Sequence, residues 1–171
     1  MFLTKMGTIG NITKTRVEFE QVANDLIMIS IDNDIDNQTG ICSYWRLKGN
    51  GGNPPLEIGI DTTFGTIKQI IIFIDTDCIE SFEVGEICKA KGNVLVDTGV
   101  FVKQNDYVNV EGSYFVTIIG RKLFCGFCEE FNANKIISNG DIEIYLDNNE
   151  QIIGFAVDNL SESSLKMIKM L

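Results

Sequence analysis

Two segments of alternating apolar and polar residues constrain the fold of this chain more than any other feature. The residues from Leu56 to Asp61 read LEIGID, a turn follows at 62–65, and the run from Ile67 to Ile74 is almost continuously apolar. The residues from Ile142 to Asp147 read IEIYLD, and a turn at 148–150 leads into the apolar run from Ile152 to Val157. Because successive side chains of a strand face opposite ways, each pattern predicts a β-hairpin. In the first hairpin, the continuous second run indicates a strand buried on both faces.

The apolar residues are mostly β-branched, which favours strands throughout the chain. There are 25 Ile and 11 Val against 10 Leu and 4 Ala, and β-branched side chains fit a pleated sheet better than a helix. Further strands are predicted over Arg16 to Ala23, Asp25 to Asp32 and Ile41 to Leu47, and another hairpin joins Tyr107 to Ile119 with Lys122 to Cys128. The prediction is a β-rich α+β fold of antiparallel sheets built of hairpins.

The last eleven residues carry the signals of one short helix. Ser161 is a capping residue, Glu162 lies at the positive end of the helix dipole, and Leu165 and Ile168 share a face. A chain of 171 residues is expected to form a single domain, 1–171. A break near 89–93 separates halves 1–90 and 91–171, whose similar hairpins fit either an internal duplication or two unrelated hairpins that obey the same alternation rule.

The net charge of −10, with a sequence pI near 4.4, limits the partners that this chain can have. Nucleic acid is excluded, since phosphate binding needs clustered Lys and Arg. No apolar run approaches the roughly 20 residues that span a bilayer, so no membrane contact is expected. The residues from Met1 to Asn11 lack a secretory signal, and five cysteines form no dense disulfide framework, so we expect a cytoplasmic protein.

The sequence offers no catalytic residues, cofactor site or metal site. There is no histidine, which removes the commonest general base, and no phosphate-binding glycine loop. The pair Cys125 and Cys128 lies in an aromatic, strand-like run and lacks two further thiolates for zinc. Asp32, Asp34 and Asp36 have the spacing that opens a calcium-binding loop, but the glycine and the closing carboxylate of that loop are missing. We therefore expect a binding protein, not an enzyme.

A stretch that we call the acidic segment, residues 75–86, is the best candidate for a partner-binding surface. It contains five acids and no basic residue, interleaved with apolar residues. Such a surface fits a basic protein partner, although a solvated strand edge or loop would look the same. The loop at 32–36 is a second acidic candidate. The candidate partner-binding residues are Asp75, Asp77, Glu80, Phe82, Glu83, Glu86, Asp32, Asp34 and Asp36, and Ile79 and Val84 are further apolar members of the segment.

Three other interpretations remain open. One is an enzyme that works with carboxylates alone, for which Glu129 with Glu130, or Asp75 with Asp77, would be the acid–base pair. Trp45 beside Tyr44, close to the glycine-rich loop at 49–53, would suit a stacking platform in a small-molecule or carbohydrate-binding β-domain. In an ordinary strand, however, one of these neighbours is buried and the other exposed. Edge strands of a β-rich chain also pair between copies, so a homodimer is compatible with the sequence.

The hairpin from Leu56 to Ile67 and its echo from Ile142 to Ser161 resemble hairpins of small bacterial immunity proteins. These proteins neutralise the toxins of polymorphic or contact-dependent inhibition systems. The resemblance covers about 40 residues in two pieces and transfers no individual binding residue. It implies a cytoplasmic, non-enzymatic inhibitor that binds a cognate protein toxin. The strong acidity of the chain would suit a nuclease toxin, whose substrate groove is basic.

Overall fold

A computed structural model describes residues 2–10, 13–34, 41–49, 54–81, 84–127 and 131–171. Within these residues the chain forms two mixed β-sheets, one of them curled into a half-barrel, and a short C-terminal helix. The β-rich α+β prediction is confirmed. The elements are β1 (Lys5–Ile9), β2 (Lys14–Ala23), β3 (Leu26–Asp34), β4 (Cys42–Lys48), β5 (Leu56–Asp61), β6 (Thr66–Ile74), β7 (Cys88–Lys91), β8 (Asn93–Val96), β9 (Tyr107–Glu111), β10 (Phe115–Ile119), β11 (Lys122–Gly126), β12 (Lys135–Asn139), β13 (Ile142–Leu146), β14 (Ile152–Val157) and α1 (Glu162–Ile168).

The first sheet is built around β6. On one side β6 pairs with β5, which pairs with β4, and β4 pairs in parallel with β9. On the other side β6 pairs with β3 from Gln69 to Ile74 and with β8 at Thr66. Strand β2 continues beyond β3, and β1 continues beyond β8.

The second sheet has the order β10-β11-β14-β13-β12-β7. Its pairs are antiparallel except that β7 runs parallel to β12. Strand β7 therefore belongs to the second sheet, whereas the following strands β8 and β9 return to the first. The chain crosses between the sheets around residue 92, where Gly92 has a φ of 143°. Sheet membership does not follow the halves 1–90 and 91–171.

The inward faces of the two sheets share one hydrophobic cluster. Ile29, Trp45 and Ile58 of the first sheet belong to it, together with Ile144 and Phe155 of the second. Each such side chain, when fully buried, stabilises the fold by roughly 1.5–3 kcal/mol. A smaller cluster lies on the other face of the second sheet, which we call its outer face. It consists of Phe124, Ile136, Tyr145, Ile153 and Ala156.

A polar network also joins the two sheets. The side-chain amide of Asn139 in β12 donates to Asn33 in β3 at 3.0 Å, and its oxygen accepts from the backbone N–H of Thr13 at 2.8 Å. Asn33 also donates to Asn93 at 3.4 Å. These amides border a cavity of about 30 Å³ between the sheets. Buried polar groups are costly unless they are hydrogen-bonded, so the network fixes the relative position of β3, β8 and β12.

Both predicted alternation hairpins are present, because β5–β6 and β13–β14 are antiparallel pairs. Two expectations are wrong in detail. Strand β6 is buried on its inner face only, since Ile71 and Phe73 on the opposite face are half-buried. The stretch from Tyr107 to Ile119 is not one strand. It breaks at 112–114, where the hydroxyl of the buried Tyr114 donates to the Phe73 carbonyl, and only β10 pairs with β11.

The C-terminal helix is confirmed and is shorter than the eleven residues predicted. Ser161 caps it, with its hydroxyl accepting from the Ser164 backbone N–H at 3.1 Å. Ile168 is buried and Leu165 packs against the same hydrophobic cluster. Among the described residues, no helix has the length and apolar character needed to cross a membrane.

Candidate functional site

The acidic segment begins where β6 leaves the first sheet. Asp75 caps a 3-10 helical turn, Thr76–Cys78, and its carboxylate accepts from the Cys78 backbone N–H at 3.0 Å. Ile79 then forms a parallel bridge with Val116 on β10, and the Glu80 N–H donates to the Val116 carbonyl at 2.9 Å. Asp75 therefore has a structural role, and the segment is fixed to one edge of the second sheet.

The described residues from Val84 onward lie on the outer face of the second sheet and lead to its opposite edge, where β7 pairs with β12. Val84 and Ile87 pack against the outer-face cluster on the way. This explains the mixture of acids and apolar residues, because Val84 holds the segment to its own sheet and is not available to anchor a partner. Ile79 remains 39% exposed. Phe82 and Glu83 lie outside the described residues.

Asp77, Glu80 and Glu86 are exposed, and none of them forms an ion pair with a described residue. Some acids elsewhere are paired: Glu57 pairs with Arg46 at 2.7 Å and Glu150 with Lys5 at 2.6 Å. Asp77, Glu80 and Glu86 are thus carboxylates that no described cation compensates.

The turn of the β2–β3 hairpin adds another carboxylate to this end of the molecule. Ile27 of β3 pairs with Ile74 of β6, so the exposed Asp25, two residues before Ile27, lies beside the start of the acidic segment. Sequence reasoning missed Asp25, because only the pairing of β3 with β6 brings it there. We use the name acidic surface for Asp25, Asp77, Glu80 and Glu86.

The second acidic candidate is separate from this surface. Asp32 accepts from Arg16 at 2.9 Å and from Gln69 at 2.8 Å. It pairs with Gln69 near the opposite end of the β3–β6 pair from Asp75, about 20 Å along the strands. Asp34 ends β3, and its side chain is not among the described residues; Asp36 lies outside them altogether. The structure does not bring the two acidic candidates together.

A cleft of about 380 Å³ lies beside the acidic segment on the outer face of the second sheet. Its base holds Glu143, which is 3% exposed although it belongs to an outward-facing position of β13. One carboxylate oxygen accepts from Lys89, and the other accepts from Lys122 at 3.0 Å and from the Tyr145 hydroxyl at 2.8 Å. Lys122 also pairs with Asp158 at 3.4 Å.

These contacts determine the protonation of the cluster. Burial raises the pKa of the Glu143 carboxyl, but the hydrogen bonds from Lys89, Lys122 and Tyr145 outweigh it, so the pKa lies below the ordinary glutamate value. Burial lowers the pKa of Lys122, and its bond to Glu143 reverses this and raises the pKa. Burial and the neighbouring carboxylate both raise the pKa of Tyr145. At neutral pH Glu143 is therefore a fixed anion and not a proton donor.

The cleft was missed because Glu143 and Tyr145 occupy the polar positions of an alternating strand, where a solvated face is the simplest interpretation. One signal in the sequence pointed to it. An aromatic residue two positions from a glutamate on the same strand face indicates that this face is partly covered. What covers it is the acidic segment, which lies more than fifty residues earlier in the chain.

Trp45 is 1% exposed and faces the shared core, with its ring centroid 5.9 Å from that of Phe127. It cannot serve as a stacking platform, so that form of the small-molecule hypothesis is wrong. Tyr44 faces outward, stacked on Tyr107 at 5.4 Å, and Arg46 lies 4.0 Å from the centre of the Tyr107 ring. The burial of one neighbour and exposure of the other follow from strand geometry.

The cysteines show no site. Cys125 is fully buried in β11, and burial raises the pKa of its thiol well above the usual value, which disfavours the reactive thiolate. Cys128 lies outside the described residues. In the part of the chain that the structure describes, no group of three or more acidic or cysteine side chains could hold a metal ion.

No protein-family model matches this sequence, and no curated protein matches it significantly.

Proposed function

We propose that this protein is a non-enzymatic inhibitor of the immunity-protein kind, which acts in the cytoplasm and binds a cognate bacterial toxin. The toxin is a basic protein, and a nuclease is the type we expect. The contact is made through the acidic surface. The observation that carries this proposal is the exposure of Asp77, Glu80 and Glu86, which form no ion pair with described residues.

Uncompensated carboxylates favour a basic partner because they attract it over long distances without first losing an internal ion pair. Such steering mainly raises the association rate and depends on ionic strength. Asp32 is a contrast, since Arg16 and Gln69 would have to release it before a partner could use it. Glu80 is also fixed by its backbone hydrogen bond to Val116, so this part of the acidic surface loses little conformational entropy on binding.

The cleft supports a binding role over acid–base catalysis. A general acid or base works best when its pKa lies near the operating pH. The pairing with two lysines and a tyrosine instead holds the Glu143 carboxyl in its charged form. The cluster is arranged to remain ionised.

The test is affinity capture with the tagged full chain as bait, at about 50 mM and about 500 mM NaCl, because the Debye length falls from more than 10 Å to a few ångströms over this range. Three baits are compared: wild type, the charge-reversed E80K/E86K, and the control E111K/E162K. Both double variants change the net charge equally. Only the first alters the acidic surface.

A basic protein that is held at low salt by wild type and E111K/E162K, and is lost with E80K/E86K, supports the proposal. A toxin activity of that protein which the wild-type chain inhibits would establish the immunity role. A partner that all three baits retain equally at both salt concentrations contradicts the use of the acidic surface.

A further inference from the structure

The cleft beside the acidic segment has the dimensions and walls of a small-molecule site. Its volume of about 380 Å³ falls within the range of about 300–1,000 Å³ that is typical of ligand pockets. Val84, Ile119, Phe124 and Ile136 form apolar walls, and charged side chains converge at the base. Neither the acidic surface nor the proposed toxin contact uses this space.

The hydrogen-bonding groups of the cleft have an excess of donors. Both oxygens of Glu143 already accept hydrogen bonds. Each lysine ammonium has three donors, and Lys89 is half exposed. Arg121 donates through Nε to the Leu160 carbonyl at 2.8 Å, and its two terminal amino groups make no hydrogen bond to a described residue. A ligand that accepts hydrogen bonds would therefore find several donors.

The charged side chains that line the cleft also favour a ligand with a negative charge. Lys89, Arg121 and Lys122 outnumber Glu143 and Asp158 by one positive charge, in a chain whose net charge is −10. A cleft with low-dielectric walls strengthens the effect of that excess. The local sign is thus opposite to that of the molecule as a whole.

We propose that the cleft binds a small organic carboxylate with an apolar body. The carboxylate lies against the terminal amino groups of Arg121, a geometry that permits two parallel hydrogen bonds, with Lys89 and Lys122 nearby. The apolar body contacts Ile119, Phe124 and Ile136.

The test uses three probes of nearly equal shape: 2-naphthoate, 2-naphthamide and 2-naphthylmethylammonium. Each is titrated into the ¹⁵N-labelled full chain, and amide shifts are followed by NMR. We expect the carboxylate alone to shift the amides of residues 119–124 and 142–145. R121A should weaken the binding of 2-naphthoate about tenfold, because one charge-assisted contact is lost. The matched control R16A should leave that binding unchanged. D158N, which removes a negative charge from the rim, should strengthen it.

Equal binding of the amide or the ammonium probe would overturn this proposal. So would shifts outside the cleft, an unchanged affinity in R121A, or no binding of 2-naphthoate at millimolar concentration. None of these results bears on the acidic surface, because E80K/E86K capture is measured without the probe.

A second inference follows independently from strand β2. Among the described residues β2 pairs only with β3, so no described strand occupies its other edge along these ten residues. Long unpaired edges are templates for another strand. The exposed face of β2 carries two basic side chains followed by two acidic ones: Lys14, Arg16, Glu18 and Glu20.

We infer that β2 pairs antiparallel with β2 of a second copy, centred on Val17. This register places Lys14 opposite Glu20 and Arg16 opposite Glu18, so every charged position on that face meets its opposite. A shift by two residues places Arg16 opposite Arg16 or Glu18 opposite Glu18. The charges therefore select one register of the homodimer.

Analytical ultracentrifugation over a wide concentration range tests this contact. K14E or E20K places like charges opposite each other twice in the dimer and should weaken dimerisation roughly tenfold. The double variant K14E/E20K recreates the complementary pattern and should restore it, while K103E serves as a control. A monomer at all concentrations, a dimer insensitive to K14E, or no restoration in the double variant would overturn the inference.

Discussion

Glu143 shows how position in the fold changes the chemistry of a residue. On β13 it alternates with core residues, and an isolated hairpin would expose it to water. The acidic segment covers part of this face, and Lys89, Lys122 and Tyr145 then surround the carboxylate. An anion that is removed from water and keeps its charge must be paired and hydrogen-bonded, and this one has three donors.

This pairing makes stability depend on pH. Because the pKa of Glu143 is lower in the folded chain than in the unfolded chain, its contribution is fully present above about pH 5 and is lost as the pH falls through the folded-state pKa. E143Q should cost about 1–3 kcal/mol at pH 7. It should also lose less stability than wild type between about pH 5 and pH 3. Urea titrations over this range, with E162Q as the control, measure the difference in stability. Parallel pH curves for wild type and E143Q would contradict the prediction.

At the scale of elements, local patterns predicted the hairpins and the capped helix, since their signals lie within a few residues of one another. The strands that were missed are β1, β7, β8 and β12. They are short, and their partners lie far away in the sequence; β7, for example, pairs with β12 some 47 residues later. The split of Tyr107 to Ile119 has the same cause, because β9 pairs in parallel with β4. The run of acids in the sequence predicted that Asp77, Glu80 and Glu86 would be exposed. The cleft could not be predicted, because it forms only where the acidic segment packs over the second sheet.

The turn of the first hairpin offers a test at this scale. Gly65 has a φ of 73°, and a Cβ there would lie 2.6 Å from the Val96 carbonyl oxygen of the neighbouring strand. Gly120, in the β10–β11 turn, has a φ of 63° with no atom within 4 Å of such a Cβ. G120A should therefore cost about 1 kcal/mol, from backbone strain alone. G65A should cost about 1–3 kcal/mol more, because of the clash. Thermal and urea unfolding of both variants measure the costs, and equal costs would contradict the placement of β8 against this turn.

At the scale of the whole molecule, the two sheets are joined by a shared hydrophobic cluster and by the amide network of Asn33, Asn93 and Asn139. Sequence patterning predicted which side chains are apolar and inward-facing. It could not predict the amide network, because each asparagine lies near a strand end where a turn residue is expected. The network connects residues more than a hundred positions apart.

We therefore expect the two sheets to unfold together. In urea, the fluorescence of Trp45 in the first sheet and the amide signals of β13 in the second should give one midpoint. N139A should lower the free energy of unfolding by about 2 kcal/mol, and by the same amount for both probes, since it leaves the partners of a buried amide unpaired. N148A, in an exposed turn, should change stability by less than about 0.5 kcal/mol. Separate midpoints for the two probes would contradict a shared core.

The most direct test of the proposed function is the association rate of the captured partner as a function of salt. Stopped-flow or surface measurements would compare wild type, E80K/E86K and E111K/E162K. The acidic surface predicts a wild-type rate that falls steeply with salt, and a rate for E80K/E86K that is roughly tenfold lower at low salt and nearly independent of it. The E111K/E162K control should remain close to wild type. Equal rates and equal salt dependence for the two double variants would contradict the account.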